Sequence, residues 1–122
     1  MGAVNALILS KDQTHVVSVG QEKRMTYWDI NAANPVHAIS LDGESDEGRC
    51  IARSNDGQLI ATGGSAGVLR LWRFDSSKCV ATVVAHSGNI NGLSFTPDDR
   101  QILTVGDDGC INVWCVYKDE DA

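Results

Sequence analysis

A hydroxyl, an imidazole and a carboxylate, the functional groups of a hydrolytic triad, occur in this 122-residue chain at Thr104, His86 and Asp108. Such a set activates a nucleophile when the imidazole takes the hydroxyl proton and the carboxylate holds the ring. Hydrolases that work this way commonly mount the nucleophile on a strained strand-to-helix elbow. No elbow is present, because Thr104 lies within the apolar run Gln101-Ile102-Leu103-Thr104-Val105. Such groups also have a structural use, since wherever they are buried together they can satisfy hydrogen bonds that would be costly to leave unmade. The chain reads as non-catalytic.

Metal chemistry has no better footing. Cys50, Cys79, Cys110 and Cys115 contain no C-x-x-C pair, and three of them sit in apolar, strand-like runs, which predicts buried free thiols. The run Asp42-Gly43-Glu44-Ser45-Asp46-Glu47 has the acidity of a calcium loop, but Arg53 stands where a twelve-residue loop needs its bidentate Glu. It reads as a solvated loop. His15 and His37 lack ligand partners at metal spacing. Neither a metal nor a cofactor is expected.

Composition limits the partners. A hydrophobic fraction of 43% can supply a core, and a formal charge of −6 argues against a nucleic-acid surface and for a basic peptide or basic protein face. No apolar run reaches the roughly 18 to 20 residues of a membrane span, and the first ten residues lack the basic start of a secretory signal. A soluble cytoplasmic protein without membrane partners is the expectation.

The elements that position the polar groups are repeated. Trp28, Trp72 and Trp114 stand 44 and 42 residues apart, and each closes a similar phrase: VVSVGQEKRMTYW, IATGGSAGVLRLW and ILTVGDDGCINVW. Gly20, Gly64 and Gly106 each precede their tryptophan by eight residues. Apolar and polar residues alternate in short runs bounded by turn residues, as in half-buried antiparallel strands. The predicted strands are 4–9, 15–19 and 25–30 in the first unit, 50–53, 59–62 and 68–72 in the second, and 90–95, 101–105 and 110–115 in the third. A fourth strand is expected at 36–41 and at 79–84, with none after Trp114.

With Ala85-His86, Asp108-Gly109 and a closing Trp in unit three, and Trp28-Asp29 in unit one, the chain resembles the WD-repeat family. Blades in that family are four-stranded antiparallel sheets set radially around a channel. The resemblance implies an all-β fold of three β-propeller blades, about 2–41, 48–84 and 88–117, followed by an acidic tail at 118–122. The three blades would form an open arc whose last blade lacks its outer strand. It also implies a structural tetrad of His86, Thr104, Asp108 and Trp114. Partial tetrads remain at Ser18 with Trp28 and at Thr62 with Trp72, where Glu44 and Ala66, or Glu22, stand in the other places. Loss of these positions in the sister units also counts against catalysis.

Family binding positions carried onto this chain are Ala3, Asn5 and Gln21; Glu47, Arg49 and Ser65; Asn89, Asn91 and Asp107. Alternating strand connections place these on one rim, the top face. The expected function is a protein–protein interaction scaffold, a C-terminal piece of a larger propeller. The remaining propeller blades or other chains would then close the ring, since a three-blade arc leaves two apolar faces open. A finer similarity of QEKRMTYWD, HSGNI and INVWCVY to the cilia- and flagella-associated WD-repeat proteins implies an alternative. That is a structural microtubule-associated role in the cilium or flagellum axoneme, with tubulin among the partners. A ubiquitin-ligase substrate receptor is the weaker third reading, because Trp28-Asp29-Ile30-Asn31 ends in Asn where Arg is wanted.

Overall fold

In a computed structural model, which describes residues 4–21, 24–31, 47–76 and 78–116 and the backbone of 34–40, the alternating runs become eleven strands. They are β1 (Val4–Leu9), β2 (His15–Gly20), β3 (Arg24–Asp29), β4 (Asn34–Ser40), β5 (Gly48–Arg53), β6 (Leu59–Gly64), β7 (Val68–Arg73), β8 (Cys79–Val84), β9 (Ile90–Phe95), β10 (Gln101–Gly106) and β11 (Ile111–Cys115). Their sheets are β1-β2-β3-β4, β5-β6-β7-β8 and the three-stranded β9-β10-β11, antiparallel throughout. The fold is all-β and unclosed. Strand β1 packs beside β5, and β5 beside β9, so the inner strands lie side by side.

One turn recurs between the first two strands of every sheet. Ser10 and Asp12, Ser54 and Asp56, and Thr96 and Asp98 each join a hydroxyl to the carboxylate two residues on, at 2.7, 2.6 and 2.6 Å. The same carboxylate oxygen then accepts the backbone N–H of Thr14, Gln58 or Arg100. These short local bonds define Asx-type turns, and the next residue turns left-handed: Gln13 at φ 64°, Gly57 at 77° and Asp99 at 61°.

The core lies between sheets. Val17, Val19, Met25 and Tyr27 of the first sheet meet Ile60 and Trp72 of the second. On its other face the second sheet presents Cys50, Leu59, Ala61 and Leu69 to Ile90, Phe95 and Ile102 of the third. Strand β6 is therefore buried at all six positions, whereas β10 alternates between exposed and covered. The uncovered face of the third sheet carries Leu103, Val105, Ile111 and Val113, and that of the first carries Leu7 and Leu9.

The cysteines depart from expectation in part. All four are free, and Cys50 is buried, but Cys79 is partly exposed and Cys110 and Cys115 are exposed. Cys110 sits at the tight turn after Asp108-Gly109, and Cys115 shares the uncovered face with Ile111 and Val113, so no neighbouring sheet buries either. Glu22, Glu44 and Ala3 lie outside the described residues.

Candidate functional site

The groups that resembled a triad do meet. His86 Nδ1 lies 2.9 and 3.1 Å from the two oxygens of Asp108, and Nε2 lies 2.8 Å from Thr104 Oγ1. The Trp114 indole N–H donates to the same hydroxyl oxygen at 3.1 Å. Because an ionised carboxylate can only accept, Nδ1–H donates to Asp108; in that tautomer Nε2 accepts the Thr104 O–H, and the hydroxyl oxygen accepts from the Trp114 indole. Strand positions arrange this: Thr104 and Trp114 share the covered face of the third sheet, and the loop before β9 lays His86 across it. A side chain at Gly106 would press its Cβ to 2.6 Å from the His86 ring, so glycine makes the slot. Thr104 is 0% exposed and His86 3%, with every polar atom of the hydroxyl engaged. No substrate can reach that oxygen.

Asp108 is held below the usual carboxylate range, first by the Cys110 backbone N–H, then by His86, against a small opposing effect of burial, with Ser87 N–H helping. The other two sheets keep only part of the arrangement. Trp28 donates to Ser18 at 2.9 Å, and Trp72 to Thr62 at 3.1 Å. Their tetrad faces point the same way, each toward the lower-numbered side of its sheet.

The rim positions fall into two clusters. Asn5 donates to Glu47 Oε1 at 3.0 Å and to the Gly48 carbonyl at 2.7 Å, which ties the first sheet to the second. Glu47 N–H in turn donates to Ser65 Oγ, and Ser65 N–H to the Glu47 carbonyl. In the third sheet Asn89 and Asn91 grip opposite oxygens of Asp107 at 2.8 and 2.6 Å. Those two amides, with Arg49 nearby, hold the Asp107 carboxyl below its ordinary value despite burial and the neighbouring Asp108. Gln21 is exposed in the β2–β3 turn at the same end.

A backbone irregularity explains why these side chains leave the sheets. Asn5, Arg49 and Asn91 each sit between paired residues where the register slips, so each is the extra residue of a β-bulge. A bulge turns its side chain away from the regular alternation. Sequence reading found these positions through the family resemblance but missed the bulge. It also missed Asp99, whose carboxylate crosses to the second sheet; its signal was a non-glycine at the left-handed place that Gly57 fills. Among the described residues, no three or more His, Cys, Asp or Glu gather as a metal would need.

The family profile described as "WD domain, G-beta repeat" matches residues 36–73 and 77–115. Cilia- and flagella-associated protein 52 of Chlamydomonas reinhardtii is 34% identical over 110 residues, covering 89% of this chain and 18% of that protein. WD repeat-containing protein 91 of Bos taurus is 30% identical over 95 residues, covering 78% of this chain and 13% of that protein. The chain thus spans less than a fifth of the length of these relatives. A solved structure of U3-55K superposes with a TM-score of 0.88 at 22% identity over 95% of this chain and 37% of its own, a likeness of fold.

Proposed function

This chain belongs to the WD-repeat family, and on that premise we propose that it is a non-catalytic platform holding a protein partner on its top rim. The observation that carries this is Asp107, an exposed carboxylate clamped by Asn89 and Asn91 beside Arg49. Rigid presentation lowers the ordering cost of binding, and ionised Asp107 with Glu47 favours a basic peptide or a basic protein face. The open faces of the first and third sheets support a second element of the proposal: further blades, of the same protein or of other chains, cover them. Reversal of Glu47 and Asp107 to Lys, with circular dichroism to check the fold, should weaken capture of basic partners from cell extract. Unchanged affinity for every captured partner would place the binding surface elsewhere.

A second reading rests on the similarity to Cilia- and flagella-associated protein 52. The chain would then be a structural part of a cilium or flagellum, with tubulin as a partner, rather than a cytoplasmic scaffold. Tagged protein should remain in isolated axonemes after a salt wash. Recovery in the soluble cytoplasmic fraction would decide for the scaffold.

A further inference from the structure

Asp107 and Glu47, two carboxylates of the top rim, are held in different ways. Asn91 Nδ2 donates to Asp107 Oδ1 at 2.6 Å and Asn89 Nδ2 to Oδ2 at 2.8 Å, so both oxygens are gripped and the carboxylate plane is fixed. Glu47 has, among the described residues, one such side-chain grip, from Asn5 to Oε1, on a side chain with one more rotatable bond. Each Asp107 oxygen has given one of its two lone pairs to an amide and keeps the other. Among the described residues, no cation lies within ion-pairing distance of either oxygen, and the side chain is exposed. Gly88 leaves the approach open, since a Cβ there would lie against the Asp107 Cβ at 3.5 Å.

We infer, on the premise that the top rim is the binding surface, that the partner anchors on Asp107 through an arginine rather than a lysine, its guanidinium meeting both oxygens as a fork. A guanidinium is planar and offers parallel N–H donors that match a carboxylate, whereas an ammonium is a point charge indifferent to the plane it meets. A carboxylate free to turn receives either cation at a similar ordering cost. One already fixed has met that cost, and it rewards the ligand whose geometry fits. Arg49 sharpens the choice: its charge acts on Asp107 without pairing with it, so an incoming cation meets a like charge beside its target. Two parallel bonds offset that repulsion better than one. The amides also favour the ionised form, which keeps the fork's acceptor charged at neutral pH.

Two capped peptides, acetyl-Gly-Arg-Gly-amide and acetyl-Gly-Lys-Gly-amide, are the probes. Titrated at equal ionic strength into the full isotope-labelled chain, each is followed by the backbone N–H resonance of residue 107. The arginine peptide should bind about three- to tenfold tighter, the worth of one further hydrogen bond. Asp107→Asn should lose the response to both. Asn91→Ala, which releases one oxygen, should narrow the preference for arginine, whereas Glu47→Gln should leave that preference as it was. Equal affinity for the two peptides would overturn the arginine fork and leave a rim for basic partners standing. No response to either, or a response surviving Asp107→Asn, would overturn the rim reading at Asp107 as well. A preference unchanged by Asn91→Ala would overturn the clamp as its cause.

Discussion

Asp99 and Asn55, forty-four residues apart in sequence, lock the second and third sheets together at the end opposite the rim. Asp99 Oδ1 accepts from the Asn55 backbone at 2.7 Å and from its side-chain Nδ2 at 3.0 Å, and Oδ2 accepts from the Asp56 backbone at 2.9 Å. The Asn55 amide also reaches the Thr96 carbonyl at 3.1 Å. With Asp99 only 6% exposed, these are bonds made largely away from water. Asp99→Ala should therefore destabilise by roughly 1–3 kcal/mol, the usual result of stranding buried donors. Asp99→Asn, which keeps one acceptor and tolerates the left-handed backbone, should cost less. Urea midpoints for the two variants check this; equal midpoints would mean the carboxylate does not link the sheets.

The tetrad should behave as a unit. His86→Ala and Thr104→Val each strand a buried partner, at roughly 1–3 kcal/mol apiece. The double variant should cost clearly less than the sum, because both delete one network. Additive melting shifts would show that the four groups act independently. Glu44→Ala, at the position where the family resemblance puts the second unit's His, should cost little.

Acid should loosen the fold through identifiable carboxylates. The hydroxyls of Thr14 and Ser10 pull Asp12 down to about 2, Thr96 with the Arg100 N–H lowers Asp98, and Asp107 and Asp108 are lowered as described above. Each group is more acidic folded than unfolded. Its contribution is thus complete above the unfolded value near 4 and is lost as pH falls through the folded value. Thermal stability should hold between about pH 5 and 7 and decline below about pH 4. Asp12→Asn and Asp98→Asn should flatten that acid limb, and a melting temperature constant from pH 5 to 3 would contradict the assignment.

Two glycines with the same backbone should differ sharply. Gly67 and Gly109 both have φ of 80°, but a Cβ on Gly67 would run into the His86 carbonyl oxygen, whereas nothing lies within 4 Å of one on Gly109. Gly109→Ala should show only the left-handed penalty of about 1–2 kcal/mol. Gly67→Ala should cost considerably more and should also disturb the Trp114 signal through the displaced His86 loop. Matching costs would remove the distinction.

The fold was legible because its signals were local and repeated. Alternating runs ending at Trp28, Trp72 and Trp114 located the strands, although β5 and β6 extend to Gly48 and Gly64, where glycine hides strand character. Of the candidate site, the grouping of His86, Thr104, Asp108 and Trp114 came from the family resemblance, and the repeats served to number its positions. Contacts between sheets came from neither. Asp99 with Asn55 and Asn5 with Glu47 depend on how one sheet lies against the next, which periodicity within a strand cannot encode. Exposure of Cys115 was hidden for a related reason: an apolar run shows that a strand can be covered, and only the arrangement of sheets shows which face is.

The bulges at Asn5, Arg49 and Asn91 separate two jobs that a strand usually gives to one residue. Being extra to the ladder, these positions contribute no register pairing, so an exchange of side chain leaves the cross-strand partners in register, and at Asn5 alone it also removes a tie between sheets. For the binding rim proposed above, Arg49 and Asn91 are the places where a new recognition chemistry would leave the sheets beneath unchanged.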